Sequence, residues 1–550
     1  MMFVAYFNKN REAIAYLTFL FLIVAILFIT GAPTGGAFSW PDSPRHALNG
    51  AFVMDLIRDM PFDDPTGYAY NYYSQYPALT ILFYPPLFYF VLAIFYSILG
   101  VSQEVALLVV FIFYVTLAYG TYFLARIWLS PSISFGVALL LISSPEVAFW
   151  GRQVMLEIPA YASLVWSAYC FIKYTKDNRA VFFYLSLILL LIALYTKLSV
   201  AFISFTYLIY LARVQKTDLF RKRHHYIGLA LFIMGCIPLL YLTLKFGQAN
   251  VQSASGISDS QVSRMDIQGW IWYAKALPSQ IGWPAIVSAA IFVLVWFLGN
   301  FRGGYRSKSP LLLLLWFIVG YLFYSAIDLK EMRHSIFILM PVAVAAGLAF
   351  HQLFAKRTWA GGIGIIIVGA LSLSNTVASR PFNYVDGYKD VVHYVSTLAP
   401  RNSNILFSGY RDGAFIFDMR AYSGRPDLSI VRADKLLLKI SVRRSLGVEQ
   451  KRYSEDKISK LINNTGVHYI VAQPDFWTDL DQMAKLQRVL KSSQFEEVRR
   501  FKMRSNYNAQ EKELVVYRNL GEVATGPVRI TNELPIIGRK IQGTLGNTNN

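Results

Sequence analysis

Long apolar segments separated by short polar ones fill the chain from its N-terminus to about residue 378. A helix needs about 20 mostly apolar residues to cross a bilayer, and twelve segments reach or approach that length. They cover residues 13–29, 82–99, 105–129, 133–150, 158–172, 181–195, 200–211, 226–244, 281–298, 311–327, 335–354 and 359–373. A few are short and need their flanking residues to complete a span. The pattern predicts a polytopic α-helical membrane domain over residues 1–378.

The pattern changes beyond residue 378, where short apolar stretches alternate with amphipathic ones. Helices are predicted at 389–396, 458–463 and 480–490, and strands at 404–408, 415–419, 428–432, 467–472, 495–502 and 514–517. Because strands and helices alternate, residues 379–520 are predicted to form a small α/β domain. Residues 521–550 are predicted to form a loosely ordered tail.

Composition agrees with the membrane class. The 550 residues are 55% hydrophobic and only 15% charged, whereas a soluble chain carries about 25% charged residues. The formal net charge is +19, but many of the lysines and arginines lie in short loops between apolar segments. Such residues act as topology signals and phospholipid contacts, so the positive charge does not indicate a nucleic-acid partner.

The basic loops also predict the orientation, because lysine and arginine are enriched on the cytoplasmic side of membrane proteins. If segment 82–99 does not span the membrane, every basic loop falls on the same side as Lys9 and Arg11. These loops lie around residues 126, 173–179, 213–223, 302–308 and 356–357. If the segment does span, all of them move outside. We therefore expect segment 82–99 to lie at the outer interface and about eleven segments to span the membrane.

The first outer loop, residues 32–82, is predicted to contain two interfacial features. Apolar residues recur every four positions over 46–60, which predicts an amphipathic helix lying on the membrane. The tyrosine-rich stretch 68–77 is typical of an aromatic belt at the headgroup level, with a groove for a lipid substrate as the alternative. A second outer loop, residues 247–279, is either a mobile lid or a loose connection.

In this orientation, five ionisable residues at the ends of apolar segments fall at the outer surface: Asp42, Glu157, Lys197, Arg333 and His334. Ionisable residues at such positions are functional candidates, because placing a charge next to lipid is costly, and interfacial anchors are the alternative. Asp42 lies one short turn beyond the first span, where a lipid-borne substrate and a water-side acceptor can both reach it. The alternative is that Asp42 only caps the following helix, since Asp and Ser next to Pro are ordinary helix-start residues.

Four motifs follow the first span and Asp42 along the chain. They are Tyr84-Pro85-Pro86-Leu87 at the start of an apolar helix, Gly151-Arg152-Gln153-Val154-Met155-Leu156-Glu157-Ile158-Pro159, Thr196-Lys197, and Glu331-Met332-Arg333-His334 ahead of Pro341. In their order, these motifs resemble the GT-C superfamily of glycosyltransferases over residues 13–378. More closely, they resemble the dolichyl-phosphate-mannose–protein mannosyltransferase family and the bacterial aminoarabinose transferases that modify lipid A. An outer α/β domain is also usual in these enzymes.

Two positions depart from the pattern of these families. Ser43 follows Asp42, where a paired acidic motif is common, and Tyr84 stands where the aminoarabinose enzymes carry a lysine before the proline of the next helix. The motifs therefore leave donor recognition open. Tyr84 is assigned as an acceptor-side or structural residue.

The resemblance implies an enzyme that uses a polyprenyl-phosphate sugar and modifies a lipid, glycan or protein acceptor outside the cytoplasm of a bacterial or archaeal cell. Asp42 would take the proton of the acceptor or orient the acceptor, consistent with inversion at the anomeric carbon. Arg333, with His334 beside it, would bind the donor phosphate, because a guanidinium holds phosphate oxygens in a forked geometry. Lys197 would add a point charge.

Three roles are open for Glu157. Its carboxylate could hold the acceptor, pair with Arg152, or help to bind a divalent cation. The pairing with Arg152 is the favoured interpretation, and a metal cofactor therefore stays an open expectation.

Two other classes of protein compete with a sugar transferase. The first is a transporter or flippase, but the sequence has no ionisable residue in the middle of a span, no obvious pair of broken helices and no inverted repeat. The second keeps the membrane fold but transfers a preassembled glycan, as a ligase or oligosaccharyl transferase does. The sugar and the acceptor are not determined by the sequence.

Overall fold

The computed structural model of the chain describes residues 2–31, 36–80, 82–215, 221–247, 262–301, 310–379, 384–440, 444, 447–506, 510–534 and 539–545. The basic segment 302–308 and residues 248–261 of the second outer loop lie outside the described residues. The sequence-based expectations for those two segments therefore stay predictions.

Every predicted apolar segment overlaps a helix. The helices of the membrane part are α1 (Met2–Gly31), α2 (Ser43–Asp59), α3 (Pro65–Gln75), α4 (Leu87–Leu99), α5 (Gln103–Ala125), α6 (Pro131–Ser143), α7 (Pro145–Trp150), α8 (Glu157–Asp177), α9 (Ala180–Thr196), α10 (Phe202–Gln215), α11 (Arg223–Phe246), α12 (Ile267–Ile281), α13 (Trp283–Phe301), α14 (Pro310–Ser325), α15 (Leu339–Leu353) and α16 (Thr358–Ser379). Short 3-10 helices, Leu198–Ala201 and Met332–Ile338, lead into α10 and α15. Apolar length determines these elements because a segment in lipid must pair its own backbone polar groups.

Among the described residues, six helical segments are long and apolar enough to cross a membrane, and two of them are α10 and α15 taken together with the 3-10 helices ahead of them. A seventh span results if α12 and α13 are counted together, although the chain bends by 117° between these two helices. The helices α4, α6, α9 and α14 are apolar but shorter. The protein is thus a helical membrane protein, while the count of about eleven spans and the interfacial position of segment 82–99 stay predictions.

Helix α2 is not the membrane-surface helix that its pattern predicts. It packs against α4 on one side and against a helix of the C-terminal part on the other. Leu48 and Phe52 of the predicted apolar stripe are buried by these two neighbours. The tyrosine-rich stretch forms α3, and Tyr72 and Tyr73 are buried because α3 packs against strands of the C-terminal part. Protein therefore covers most of the apolar residues of both helices, although Met60, at the end of the predicted stripe, is 58% exposed.

The C-terminal part is built from short strands and helices. The strands are β1 (Val385–Asp386), β2 (Asn404–Ser408), β3 (Ser429–Arg432), β4 (Leu438–Ile440), β5 (Val448–Gln450), β6 (Val467–Ala472), β7 (Phe495–Lys502), β8 (Arg504–Ser505), β9 (Glu513–Asn519), β10 (Val528–Leu534) and β11 (Arg539–Leu545). The helices are α17 (Tyr388–Leu398), α18 (Asp412–Tyr422), α19 (Ala433–Leu437), α20 (Glu455–Asn464) and α21 (Asp481–Val489). Five strands form one sheet in the order β3-β2-β6-β9-β7. Strand β2 is parallel to β3 and β6, and β9 is antiparallel to β6 and β7.

Two predictions for this part are wrong. Segment 415–419, predicted as a strand, lies inside α18, because residues 413–419 are all buried and a continuous apolar run does not distinguish a buried helix from a buried strand. Residues 528–534 and 539–545 are not a loosely ordered tail, because β10 pairs antiparallel with β11 and β11 packs against α3. Residues 535–538 and 546–550 lie outside the described residues. The boundaries 1–378 and 379–520 stay predictions.

The hydrophobic core extends across the two parts of the chain. One apolar cluster fills the helix bundle, and a second one joins α2, α4 and α5 to α17, α18 and one face of the sheet. In the second cluster, Phe52 and Tyr96 share the interior with Phe415 and Phe417. The C-terminal part is therefore packed directly onto the loop that carries Asp42.

Candidate active site

The five ionisable residues predicted at one surface lie at the ends of separate elements and meet in space. Asp42 immediately precedes α2, Glu157 is the first residue of α8, and Lys197 follows the last residue of α9. Arg333 and His334 belong to the 3-10 helix ahead of α15. Each side chain is thus placed by the start or end of a helix, which fixes its position against the bundle.

Asp42 occupies the N-cap position of α2, but its side chain makes no capping hydrogen bond. Its backbone carbonyl accepts from the amide of His46 at 3.0 Å, as a helix start requires. The carboxylate turns away, and its Oδ2 lies 3.3 Å from Nη1 of Arg333. The side chain is 33% exposed, so solvent or a substrate can reach it. The capping interpretation therefore does not account for this carboxylate.

Arg333 lies at the centre of the cluster. Its Nε forms an ion pair with Glu331 and lies 4.0 Å from Oε1 of Glu157. The guanidinium carbon lies 6.0 Å and 5.9 Å from the ring centroids of Trp40 and Trp150, within the range of a cation–π contact. The side chain is only 9% exposed. Three carboxylates and two indole rings therefore fix the position of one guanidinium.

Glu157 pairs with Lys197. The predicted pairing with Arg152 is wrong. The Nζ of Lys197 donates to Oε1 of Glu157 at 2.9 Å, and the Glu157 side chain is fully buried. Arg152 instead donates from Nε to the carbonyl of Ala148 at 2.8 Å. The second carboxylate oxygen of Glu157 has no hydrogen-bond partner in the described part of the chain. Glu157 is therefore a buried acceptor that holds the lysine and leaves one oxygen available.

Burial and neighbouring charges determine the protonation of Asp42. Burial alone would raise the pKa of Asp42, but the positive charges of Arg333 and Arg45, with the hydrogen bond from Arg333, hold it below its usual value. The group is therefore ionised at neutral pH and can accept a proton.

His46 belongs to the site although the sequence reasoning missed it. Its Nδ1 lies 2.9 Å from the hydroxyl of Tyr89, and the imidazole is buried. Burial lowers the pKa of His46 to about 4 against the opposing effect of Asp42 and Glu157, so the ring is neutral at pH 7. The sequence contained a signal for this role. His46 lies four residues after Asp42, and residues four apart lie on the same face at the start of a helix.

The two remaining predicted residues lie at the edge of the cluster. The ring of Tyr84 lies 5.0 Å from that of His46. Burial, assisted by the negative charge of Asp42, raises the pKa of Tyr84 far above its usual value, so its hydroxyl stays protonated. His334 lies 4.0 Å from Glu331, measured from Nε2 to Oε2.

A metal site is not evident from the same geometry. In the part of the chain that the structure describes, no group of three or more His, Cys, Asp and Glu side chains is arranged to hold a metal ion. The divalent cation considered for Glu157 therefore stays an untested expectation. Both cationic side chains of the site lie on the same carboxylate oxygen of Glu157, Oε1, with Lys197 at 2.9 Å and Arg333 at 4.0 Å.

Part of the chain matches a known family by sequence. Residues 84–242 match the family described as dolichyl-phosphate-mannose-protein mannosyltransferase. The matched region contains Tyr84, Arg152, Glu157 and Lys197, but not Asp42 or Arg333. No curated protein matches the chain by sequence.

Solved structures share the fold over nearly the whole chain. ArnT from Cupriavidus metallidurans, in a crystal structure with undecaprenyl phosphate, has a TM-score of 0.62 at 12% identity and covers 94% of this chain and 100% of its own. The oligosaccharyltransferase of Archaeoglobus fulgidus has a TM-score of 0.54 at 11% identity, covering 88% of this chain and 71% of its own. The arabinofuranosyltransferase AftD from Mycobacteria has a TM-score of 0.52 at 13% identity, covering 94% of this chain and 42% of its own. The predicted resemblance to GT-C glycosyltransferases is confirmed at the level of the fold.

Proposed function

We propose that the protein is a membrane glycosyltransferase that moves a sugar from a polyprenyl-phosphate donor to a lipid, glycan or protein acceptor. The observation that carries the proposal is the pairing of a partly exposed carboxylate, Asp42, with a buried guanidinium, Arg333, at 3.3 Å. Sugar transfer from a phosphate needs both a proton acceptor and a cation at the leaving group. The shared fold with ArnT, whose solved structure contains undecaprenyl phosphate, supports a lipid-linked donor.

In the proposed reaction, an acceptor hydroxyl or amine attacks the anomeric carbon of the sugar from the face opposite the phosphate. The new bond forms as the bond from the anomeric carbon to the phosphate oxygen breaks, and its electron pair leaves with the phosphate. Asp42 takes the proton that the acceptor loses. One displacement inverts the configuration at the anomeric carbon. A positioned base of this kind contributes about 10²–10⁴-fold to the rate.

Arg333 and Lys197 would stabilise the leaving phosphate. Both cations are held in advance by the buried carboxylate of Glu157, so little reorganisation is needed when negative charge develops. An ammonium has three hydrogens, and the bond to Glu157 uses one, so Lys197 can donate to a phosphate oxygen as well. His334 and Tyr84 would line the same site.

The ion pair between Asp42 and Arg333 also makes the basicity of Asp42 depend on whether the donor is bound. Without a donor, the guanidinium holds the pKa of Asp42 low, which makes the carboxylate a weak base. A donor phosphate that draws Arg333 to itself neutralises part of this positive charge, so the pKa of Asp42 rises. Asp42 would therefore become a stronger base once the donor is bound.

The charge distribution in the loops supports a site on the outer side of the membrane. Glu157 begins α8 and Lys197 follows the end of α9, while the basic residues 173–179 lie at the other ends of these two helices. The positive-inside rule would put that basic end in the cytoplasm and the site outside. Polyprenyl-phosphate sugars and their acceptors would then be used outside the cytoplasm.

Incubation of the purified protein with a panel of polyprenyl-phosphate sugars and candidate acceptors tests the proposal. We expect stoichiometric release of polyprenyl phosphate and formation of a glycosylated product with inverted configuration for at least one donor. Movement of a labelled lipid across proteoliposomes with no product would instead identify a transporter. Transfer only from a donor that carries a preassembled glycan would identify a ligase.

A further inference from the structure

The segment that carries Asp42 is bound by the C-terminal part of the same chain. The amide of Ala37 donates to the carbonyl of Val385 at 2.5 Å, and the two residues form an antiparallel bridge. A Cβ atom at the neighbouring Gly36 would lie only 2.5 Å from the same carbonyl, so the two backbones are in close contact. The segment is thus docked against β1 shortly before it reaches Asp42.

Arg411 of the C-terminal part reaches into this segment. Its Nη1 donates to the carbonyls of Ser39 at 2.5 Å and Phe38 at 3.4 Å. Its Nε lies 2.9 Å from Oε1 of Glu511. The side chains of Arg411 and Glu511 are 7% and 2% exposed. A buried arginine that pairs with a buried glutamate therefore holds the backbone just before Asp42.

The same turn of the C-terminal part also contacts the segment beyond Asp42. Asp412 accepts from Nη2 of Arg45 at 3.0 Å. A Cβ atom at Gly413 would lie 3.0 Å from Cγ of Pro44, so α18 starts against the first turn of α2. Three consecutive residues, Arg411 to Gly413, thus hold the chain on both sides of Asp42.

We infer that Arg411, with Asp412 beside it, is a positioning residue that fixes the backbone of Asp42 in reach of Arg333. This inference rests on the proposed function for the role of Asp42. The contacts of Arg411 with this segment are to backbone carbonyls, so it acts through the position of Asp42. A displacement of about 1 Å in a reacting group costs about 10²-fold in rate, so the contacts that hold Asp42 in place matter for turnover. The C-terminal part is then required for the chemistry of the membrane part.

The test compares Arg411→Gln and Arg411→Lys with the wild-type full-length protein. Glutamine removes the charge and the fork, whereas lysine keeps the pair with Glu511 and a donor toward the carbonyls. Arg425→Gln is the matched control, because Arg425 donates to the carbonyls of Ser396, Ala399 and Pro400 and pairs with Asp427, all inside the C-terminal part.

Two readouts are measured on each protein. Hydrogen–deuterium exchange of the peptide covering residues 36–46 reports docking directly, since the Ala37 amide is one of its bonded groups. We expect exchange at least about 10-fold faster in Arg411→Gln, because hydrogen bonds from a charged donor are lost. We expect kcat to fall at least about 10-fold with the KM for the donor nearly unchanged, and Arg411→Lys to recover part of both losses. Arg425→Gln should leave exchange of residues 36–46 unchanged.

Unchanged exchange of residues 36–46 in a folded Arg411→Gln protein would overturn the inference, as would equally fast exchange in Arg425→Gln. Should Arg411→Gln fail to fold, Arg411→Lys decides, because it loses the forked contact with the two carbonyls; exchange of residues 36–46 as slow as in the wild type would then overturn the inference. If the wild-type protein releases no polyprenyl phosphate from any donor, the proposed function fails. The exchange measurement still decides whether Arg411 holds the segment, so the two failures are distinguishable.

Discussion

At the scale of single residues, the sequence at the start of α2 explains why the side chain of Asp42 makes no capping hydrogen bond. A capping side chain accepts from the amide of the second or third residue of the helix. The second residue here is Pro44, which has no amide hydrogen, so only the amide of Arg45 is left for a side-chain cap, and the proline ring already favours the helical backbone angle. The helix therefore starts well without a side-chain cap, and the carboxylate of Asp42 is free to pair with Arg333.

We predict that Asp42→Asn folds, binds the lipid donor and turns over at least about 10²-fold more slowly. Asparagine keeps the shape of the side chain but does not accept the acceptor's proton. Asp42→Glu keeps the charge yet shifts the carboxylate by about one methylene, so it should also be slow. Single-turnover release of polyprenyl phosphate measures the effect. A folded Asp42→Asn protein that works at nearly wild-type rate would move the search for a base to Glu157 and His334.

We predict that Arg333→Ala lowers donor turnover by about 10²-fold or more, and that Arg333→Lys lowers it by about 10-fold. Lysine keeps the charge among the three carboxylates and loses only the fork, whereas alanine leaves those carboxylates without their central cation. Arg58→Ala is the control, since Arg58 is 64% exposed and pairs with its neighbour Asp59. Both residues lie at the far end of α2, the helix that follows Asp42. Its turnover should change by less than about twofold. Equal activity of Arg333→Ala and wild type would remove Arg333 from the site.

At the scale of elements, α18 decides how the C-terminal part meets the membrane part. It packs against α2 and α17, and its ends carry Arg411, Asp412 and Arg420. Arg420 reaches Asp55 of α2 with Nη2 at 2.6 Å from Oδ2. Acidic Asp412 in the first turn and basic Arg420 in the last turn also suit a helix dipole, and this was the sequence signal for a helix rather than a strand.

Asp418 in the middle of α18 predicts how stability depends on pH. Both of its carboxylate oxygens are buried and have no hydrogen-bond partner in the described part of the chain. Burial raises the pKa of Asp418 from 3.8 to about 8, with Lys389 and Glu104 as the nearby charges. Between these two pKa values the unfolded chain releases the proton and the folded chain keeps it. The stability contribution of Asp418 therefore falls as the pH rises from about 4 to about 8.

We predict that Asp418→Asn stabilises the protein by about 2 kcal/mol or more at pH 8 and by almost nothing at pH 4. Thermal unfolding of the purified protein in detergent across this range measures the difference. Asp427→Asn is the opposite control, because the hydrogen bonds from Arg425 lower the pKa of Asp427 to about 2. That variant should be less stable than wild type at pH 7 and converge with it at low pH. A pH-independent effect of Asp418→Asn would show that its carboxyl does not titrate in this window.

At the scale of the whole molecule, the positive-inside rule predicts a side of the membrane for every loop. We predict that a reporter fused after Lys308 lies in the cytoplasm and that one fused near Gln473 lies in the outer compartment. Accessibility of a cysteine at each position to a membrane-impermeant label provides an independent measurement. Both reporters on one side of the membrane would overturn the charge argument and the outer location of the site.

The sequence by itself determined the long apolar helices of the membrane part, although not α3 or α12, and the candidate residues Asp42, Glu157, Lys197 and Arg333. Apolar length is a local property, and a charge at the end of an apolar segment is costly wherever the chain folds. These features therefore needed no knowledge of packing. The five strands of the large sheet were also predicted from local pattern, whereas segment 415–419, predicted as a strand, is part of α18.

Only the tertiary structure decided which residues pair. Asp42 and Arg333 are 291 positions apart, and Glu157 selects Lys197 over the nearer Arg152 because α8 and α9 pack side by side. The same applies to Arg411, which is unremarkable in the sequence and becomes important because α18 docks beside Asp42. Local patterns specify what an element is, whereas the choice of partner depends on how distant elements pack, and that choice determines the electrostatics of this site.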